Sequence, residues 1–146
     1  MGVTMGRGRR GGNAIEFALT FPLFLTVLVG LMDYGYLFAM QAGIDNAVSI
    51  ACREGAMVDP SKGAGLPEAT ADAVFLDRSA IFCAGVTCDW LATDMKTGAY
   101  EPPNRTMKCE VTRPMTSLVG FLPTALYPTE ISSTSFYRFE WQRRPE

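Results

Sequence analysis

The sequence has no histidine among its 146 residues, and this absence narrows the functions open to it. Histidine is the most frequent general base in enzymes and the commonest metal ligand, so Ser-His-Asp and Cys-His catalysis are excluded. Asp72 and Asp77 lie on one amphipathic segment, where acids are typical of a solvated helix face rather than a catalytic pair. We therefore expect a protein that is not an enzyme and that binds no cofactor.

The chain also has no excess of basic residues, because 13 Lys and Arg stand against 15 Asp and Glu for a net charge of −2. Binding to nucleic-acid phosphates requires a basic face, so we expect no nucleic-acid partner. The basic residues that do cluster are Arg7, Arg9 and Arg10, just before sixteen uncharged residues from Phe17 to Met32. This positive-inside arrangement predicts a cytoplasmic N-terminus and places everything after the apolar run across a membrane.

The four cysteines, Cys52, Cys83, Cys88 and Cys109, all follow the apolar run. An even number on the exported side of a membrane favours two disulfides, for which three pairings are possible. We favour Cys83–Cys88 as a local loop, which leaves Cys52–Cys109 to join the end of the first helix to a strand. Free buried thiols are one alternative. A zinc site is another, but zinc knuckles have two close cysteine pairs and this sequence has one, so we expect no metal.

Composition divides the chain into a Gly/Arg-rich leader (1–11), a long helix (12–55) and a small α+β domain (56–146). A helix of some forty residues is roughly 60 Å long, about twice the thickness of bilayer hydrocarbon. To about residue 33 it is apolar on all sides and is predicted to span the membrane. Beyond that point a stripe at helical spacing predicts packing on a soluble domain, with Asp33, Asp45, Asn46 and Arg53 off the stripe. Its residues are Tyr34, Leu37, Gln41, Ile44, Val48 and Ala51.

The small domain is predicted to combine a short helix (66–83) with an antiparallel sheet of two to three strands. Alternation of apolar and polar residues indicates a strand over 106–113, and β-branched and aromatic residues indicate another over 130–141. A third strand would come from 83–100, and residues 115–128 would form a helical turn over the sheet. The predicted buried face of the short helix is Ala69, Ala73, Leu76 and Ala80.

Three interpretations compete for the segment 7–38. A secretory signal peptide has a shorter apolar core and a cleavage site after it, whereas this core is long and continues into an amphipathic helix. A plain single-span anchor explains the arginines and the length, and leaves Glu16 as an interfacial charge. The third interpretation is a prepilin-type leader, in which the apolar helix follows the cleavage site.

The prepilin interpretation assigns a role to each residue around the cut. Gly11 precedes the cut, Gly12 becomes the new N-terminus, Glu16 is the fifth residue of the mature chain and Phe17 completes the motif. A small residue allows the peptidase to approach the backbone, and the cut creates an α-ammonium group. A carboxylate buried between helices is tolerated only when it is paired. We therefore expect Glu16 to pair with the terminal amine of a neighbouring subunit and to set the axial register between subunits.

Pro22 lies six residues after Glu16, within the apolar run. It cannot donate a hydrogen bond to the carbonyl of Ala18, so it is predicted to kink or loosen the helix there. Two explanations stay open: proline is more frequent in membrane helices than in soluble ones, or a local loosening helps the helix to leave lipid for a filament.

The stretch "GGNAIEFALTFPLFLTVLVGLMDYGYLF", followed by "QAGIDNAVSIACREGA", resembles the TadE-like proteins of tight-adherence (Tad, type IVc) pilus systems. The resemblance covers about the first 56 residues, and the four cysteines are not part of its shared motif. It implies a minor pilin or pseudopilin of the bacterial inner membrane, with a periplasmic C-terminal domain and incorporation into an extracellular pilus. The implied partners are a prepilin peptidase, other pilins and minor pilins through the N-terminal helix, the inner-membrane assembly platform and membrane lipid.

The resemblance thus favours a structural component in the assembly of an adhesive pilus, with Gly11 and Glu16 as processing determinants. The alternative is an unprocessed, single-span periplasmic module for binding or adhesion.

Overall fold

The long N-terminal helix is continuous. A computed structural model describes residues 10–59, 62–63, 65–97, 104–120 and 127–139, so Arg7 and Arg9 of the predicted leader lie outside the described residues. Helix α1 (Arg10–Met57) has 48 residues, which corresponds to about 72 Å. It ends two residues before Asp59, which precedes Pro60, and the residue before a proline is disfavoured in helices.

The second helix, α2 (Leu66–Ser79), begins after Gly65, whose φ of 78° is left-handed. Pro67 occupies the first turn, where its missing N–H has no intrahelical partner to lose, and Glu68 and Arg78 complement the helix dipole at the two ends. Helix α2 packs antiparallel to α1. A Cβ atom at Gly55 would lie 2.8 Å from the Pro67 carbonyl oxygen, so the absence of a side chain at Gly55 permits this close approach.

The predicted buried face of α2 is wrong. Ala69, Ala73, Leu76 and Ala80 are exposed. The side chains that pack inward are instead those of Pro67, Ala71, Phe75 and Ser79.

Contacts made far along the chain explain the difference. The Phe75 ring stacks on Trp90 with centroids 4.0 Å apart, and Trp90 Nε1 donates a 2.7 Å hydrogen bond to Asp72 Oδ1. Ala71 lies against Gly55 of α1. A large aromatic partner and a close helix contact thus select the inward face of a helix on which apolar residues occur on several sides.

Three antiparallel strands complete the domain, in the order β1 (Asp89–Thr97), β2 (Asn104–Pro114) and β3 (Glu130–Arg138). Strand β2 is central, and its alternating side chains Met107, Cys109 and Val111 are buried, as its period predicts. The described fold is therefore α+β, with a long N-terminal helix, a short helix and an antiparallel sheet. This confirms the fold class. The third strand, predicted within residues 83–100, is β1.

The C-terminal half of α1 packs on the sheet and on α2. Ile44, Val48 and Ala51 of the predicted stripe are buried, Leu37 and Gln41 are half-buried, and Tyr34 is exposed. Asp33 is an exception to the predicted pattern, because it lies off the stripe and yet is fully buried. Its burial results from a contact with residue 119, which no local periodicity can reveal.

Two disulfides are present among the described residues. Cys52 is bonded to Cys109, with Cα atoms 5.7 Å apart, and joins α1 to the central strand β2. Cys83 is bonded to Cys88, with Cα atoms 5.8 Å apart, and closes a short loop between α2 and β1. Both sulfur atoms of the first bond are in the core, since Cys52 and Cys109 are fully buried.

The segment predicted to form a helical turn over the sheet is different in the structure. Residues 115–117 have no regular structure and 118–120 form a bend, while 121–126 lie outside the described residues. Met115 is buried and its N–H donates to the carbonyl of Thr129 at 2.7 Å. Val119 then turns toward α1, where it reaches Asp33. This segment therefore contacts the long helix α1 as well as Thr129, which directly precedes β3.

Candidate functional site in the N-terminal half of helix α1

The apolar run of α1 is uncovered. Residues 14–28 are all exposed, and none of the most apolar stretch is buried against the described remainder of the chain. Large exposed side chains such as Leu19, Phe24 and Leu25 lie on different sides of the helix. A helix that is apolar all round needs lipid or other helices as its surroundings. By length and composition α1 is a candidate membrane span.

Glu16 is an acid on this apolar surface, between the exposed side chains of Ile15 and Phe17. Its carboxylate makes no ion pair or hydrogen bond with another residue in the part of the chain that the structure describes. In lipid or between helices an unpaired carboxylate is costly, so a cation from outside this chain is the natural complement.

Gly11 and Gly12 lie in the first turn of α1, which begins at Arg10. The first N–H groups of a helix have no intrahelical partner, and helix ends fray readily, so a bond in this turn is easier to present to an enzyme than one inside the helix. Gly12 and Glu16 are four residues apart, about 6 Å along the axis and on one face. A cut between Gly11 and Gly12 would therefore place a new amine one turn from the Glu16 carboxylate.

The helix continues through Pro22. Two threonines, one before and one after Pro22, bond to backbone carbonyls: Thr20 Oγ1 donates to the Glu16 carbonyl at 3.0 Å, and Thr26 Oγ1 donates to the Pro22 carbonyl at 2.8 Å. Such bonds satisfy hydroxyl groups within an apolar segment and are associated with helix bending. The two threonines were not predicted from the sequence, although each lies four residues after its accepting carbonyl and this spacing is visible in the sequence. The kink at Pro22 stays a prediction.

A buried polar cluster marks the end of the apolar run. Asp33 Oδ1 accepts a 3.0 Å hydrogen bond from the backbone N–H of Val119. Tyr127 is buried nearby, with its ring centroid 6.5 Å from that of Tyr34. Burial raises the pKa of the Tyr127 hydroxyl, and the Asp33 carboxylate raises it further. This cluster fixes the small domain to α1 at the point where the apolar run stops.

Comparison with known protein families finds a match for most of helix α1. Residues 11–53 match the model of the TadE-like protein family. The chain carries a TadE-like segment. This segment includes Gly11, Glu16, Pro22 and Asp33, and the resemblance identified in the sequence is confirmed for it. No curated protein and no solved structure shows significant similarity to the chain.

The TadE-like segment associates the chain with Tad pilus systems, and the uncovered apolar helix fits a membrane anchor. The match ends at Arg53, so α2 and the sheet lie beyond it. The family match therefore bears on α1, and the small domain has to be interpreted from its own contacts.

Proposed function

We propose that the protein is a minor pilin or pseudopilin that takes part in the assembly of a Tad (type IVc) adhesive pilus. The observation that carries this proposal is the position of Glu16. Among the described residues it has no ion-pair or hydrogen-bond partner, and it lies on the exposed and otherwise uncharged stretch 14–28 of α1, within the TadE-like segment and five residues after Gly11. A carboxylate on an apolar helix surface is tolerated when a neighbouring subunit supplies a cation that pairs with it.

Processing by a prepilin peptidase would create that cation. Removal of the leader 1–11 exposes the α-ammonium group of Gly12, with Phe17 completing the recognised motif. The amine of one subunit reaches the level of a neighbour's Glu16 when the two helices are displaced by about one turn, roughly 6 Å. Glu16 then acts as a register residue, because a bundle of apolar helices otherwise has little preference for one axial offset.

In this arrangement the protein is oriented by its basic leader. The N-terminus is in the cytoplasm, α1 spans the inner membrane and the small domain is periplasmic, where its two disulfides are stable. The partners are the peptidase, other pilins that pack on α1, the assembly platform and membrane lipid. The role is structural and requires no catalytic group.

Deletion of the gene in a piliated strain tests the proposal. We expect pili on the cell surface to be lost or greatly reduced, and restored by the complete gene. Electron microscopy and the pilin content of sheared surface fractions measure this. An anchored adhesion module, the alternative, predicts normal pili with weaker attachment to surfaces, and that result would contradict the proposed function.

A further inference from the structure

Leu118 and Val119 are two exposed apolar residues beside the end of the uncharged run of α1. Their side chains are 57% and 51% exposed, and the N–H of Val119 bonds to Asp33. Asp33 directly follows Met32, the last residue of the uncharged run. Residues 118 and 119 therefore lie beside α1 at the position along its axis where its uncharged run ends, and Leu31 and Met32, the last two residues of that run, are exposed.

The bond to Asp33 gives this position a physical reason. A carboxylate at the boundary of hydrocarbon is costly unless it is shielded and hydrogen-bonded. The Val119 amide provides the bond, and the Asp33 side chain is fully buried. In covering an acid, the segment turns two aliphatic side chains outward. In hydrocarbon these two side chains would lose their contact with water, which is favourable for apolar surface.

A tyrosine beside Asp33 is consistent with a membrane boundary. Tyr34 directly follows Asp33 on α1 and is exposed, and its ring centroid lies 6.5 Å from that of the buried Tyr127. Tyrosine is enriched at membrane–water interfaces, because its ring is apolar and its hydroxyl prefers water or a polar partner.

We propose that Leu118 and Val119 insert into the lipid surface beside α1, so that the small domain is held on the membrane at a second point. This inference rests on the part of the proposed function in which α1 spans a membrane. We take lipid as the partner of these two side chains, because they continue the exposed apolar surface of α1. The bond between Val119 and Asp33 then sets the height of the domain above the bilayer, and limits its tilt about α1.

Photolabelling from within the bilayer tests the inference. The full-length protein is placed at low density in phosphatidylcholine–phosphatidylglycerol vesicles that contain a phospholipid with a diazirine in its acyl chain. After irradiation and digestion, mass spectrometry locates the label. We expect label on the apolar run of α1 and, severalfold above background, at Leu118 and Val119. Leu76 and Leu91 provide the background, since they are 69% and 54% exposed.

Leu76 is a suitable control because it is about as exposed as Leu118 but lies much further along α1 from the end of the apolar run. Leu76 lies in α2 beside Val74 and Asp77, which share a shallow pocket with Ile50 of α1. Ile50 is 17 residues beyond Asp33, about 25 Å along the helix. A Leu118→Asp variant should lose most of the label at 118–119 and keep the label on α1.

The possible failures are distinguishable. Label on α1 with only background at Leu118 and Val119 overturns the inference and leaves the membrane anchor intact. The same pattern is expected when these side chains pack on neighbouring subunits, because such neighbours are absent from sparsely loaded vesicles. Undiminished loop label in the Leu118→Asp variant also overturns it. Absence of label from α1 overturns the membrane location itself, and the inference with it.

Discussion

A Glu16→Ala variant is expected to remain inserted in the membrane and yet to fail to enter pili or to support their assembly. The apolar run from Phe17 to Met32 is unchanged, so the free energy of membrane insertion is retained. The variant lacks the carboxylate that pairs with the terminal ammonium group of a neighbouring subunit. That ammonium group is then left unpaired between apolar helices. Loss of such a pair is large enough to lower incorporation by on the order of 100-fold.

Immunoblots of membrane and sheared pilus fractions measure the two properties separately. Glu16→Gln keeps the size of the side chain and removes its charge, so it should fail in the same way. Thr20→Ala is the matched control, because Thr20 lies one turn further along and its hydroxyl only bonds to backbone carbonyls. Wild-type amounts of Glu16→Ala protein in pili would remove the register role from the acid.

The second large effect is expected from the disulfide between Cys52 and Cys109. These residues are 57 apart in sequence, and cross-linking them restricts the unfolded chain by about 4 kcal/mol in the loop-entropy account. Replacing both with alanine should therefore lower the free energy of unfolding of the small domain by roughly that amount. It should also loosen the contact between α1 and the central strand β2.

The other disulfide provides the matched control. Cys83 and Cys88 are five residues apart, for which the same account gives about 2 kcal/mol. Denaturant unfolding of the full chain in detergent micelles, followed by tryptophan fluorescence, compares the two double-alanine variants. The Cys52/Cys109 variant should have the lower midpoint. Equal midpoints, or a lower midpoint for the Cys83/Cys88 variant, would contradict this explanation.

Local patterns were sufficient where one element's own residues determine its surroundings. Strand β2 alternates Met107, Cys109 and Val111 with polar residues, and these three side chains are buried. Residues 14–28 of α1 are all exposed, as expected for a helix that is apolar on all sides. In both cases the residues of the element itself indicate its surroundings, by alternation in β2 and by the lack of a polar face in α1.

Local patterns were insufficient where distant contacts decide burial. Helix α2 has apolar residues on several sides, and its inward face is chosen by Trp90 against Phe75 and by Gly55 against Ala71. Asp33 is buried by a bond from Val119, 86 residues away. A single sequence contains no period that connects such pairs. The shape of the 115–120 segment was missed for the same reason.

The residues of the candidate site could be proposed from the sequence because they form a short motif, and their roles stay predictions. Gly11, Glu16 and Phe17 are defined by spacing between a basic cluster and an apolar run, and the TadE-like match covers them. The polar cluster at Asp33 has no such local signature. It is known only from the fold, and it is the origin of the inferred contact with lipid.

The identity of the mature N-terminus tests the central claim most directly. In cells that contain the prepilin peptidase, mass spectrometry should find a chain that begins at Gly12, whereas cells without the peptidase should retain Met1 or Gly2. A Gly11→Val variant should stay uncut, and a Gly8→Val variant should be processed normally. A wild-type protein that keeps Met1 or Gly2 in the presence of the peptidase would contradict the account.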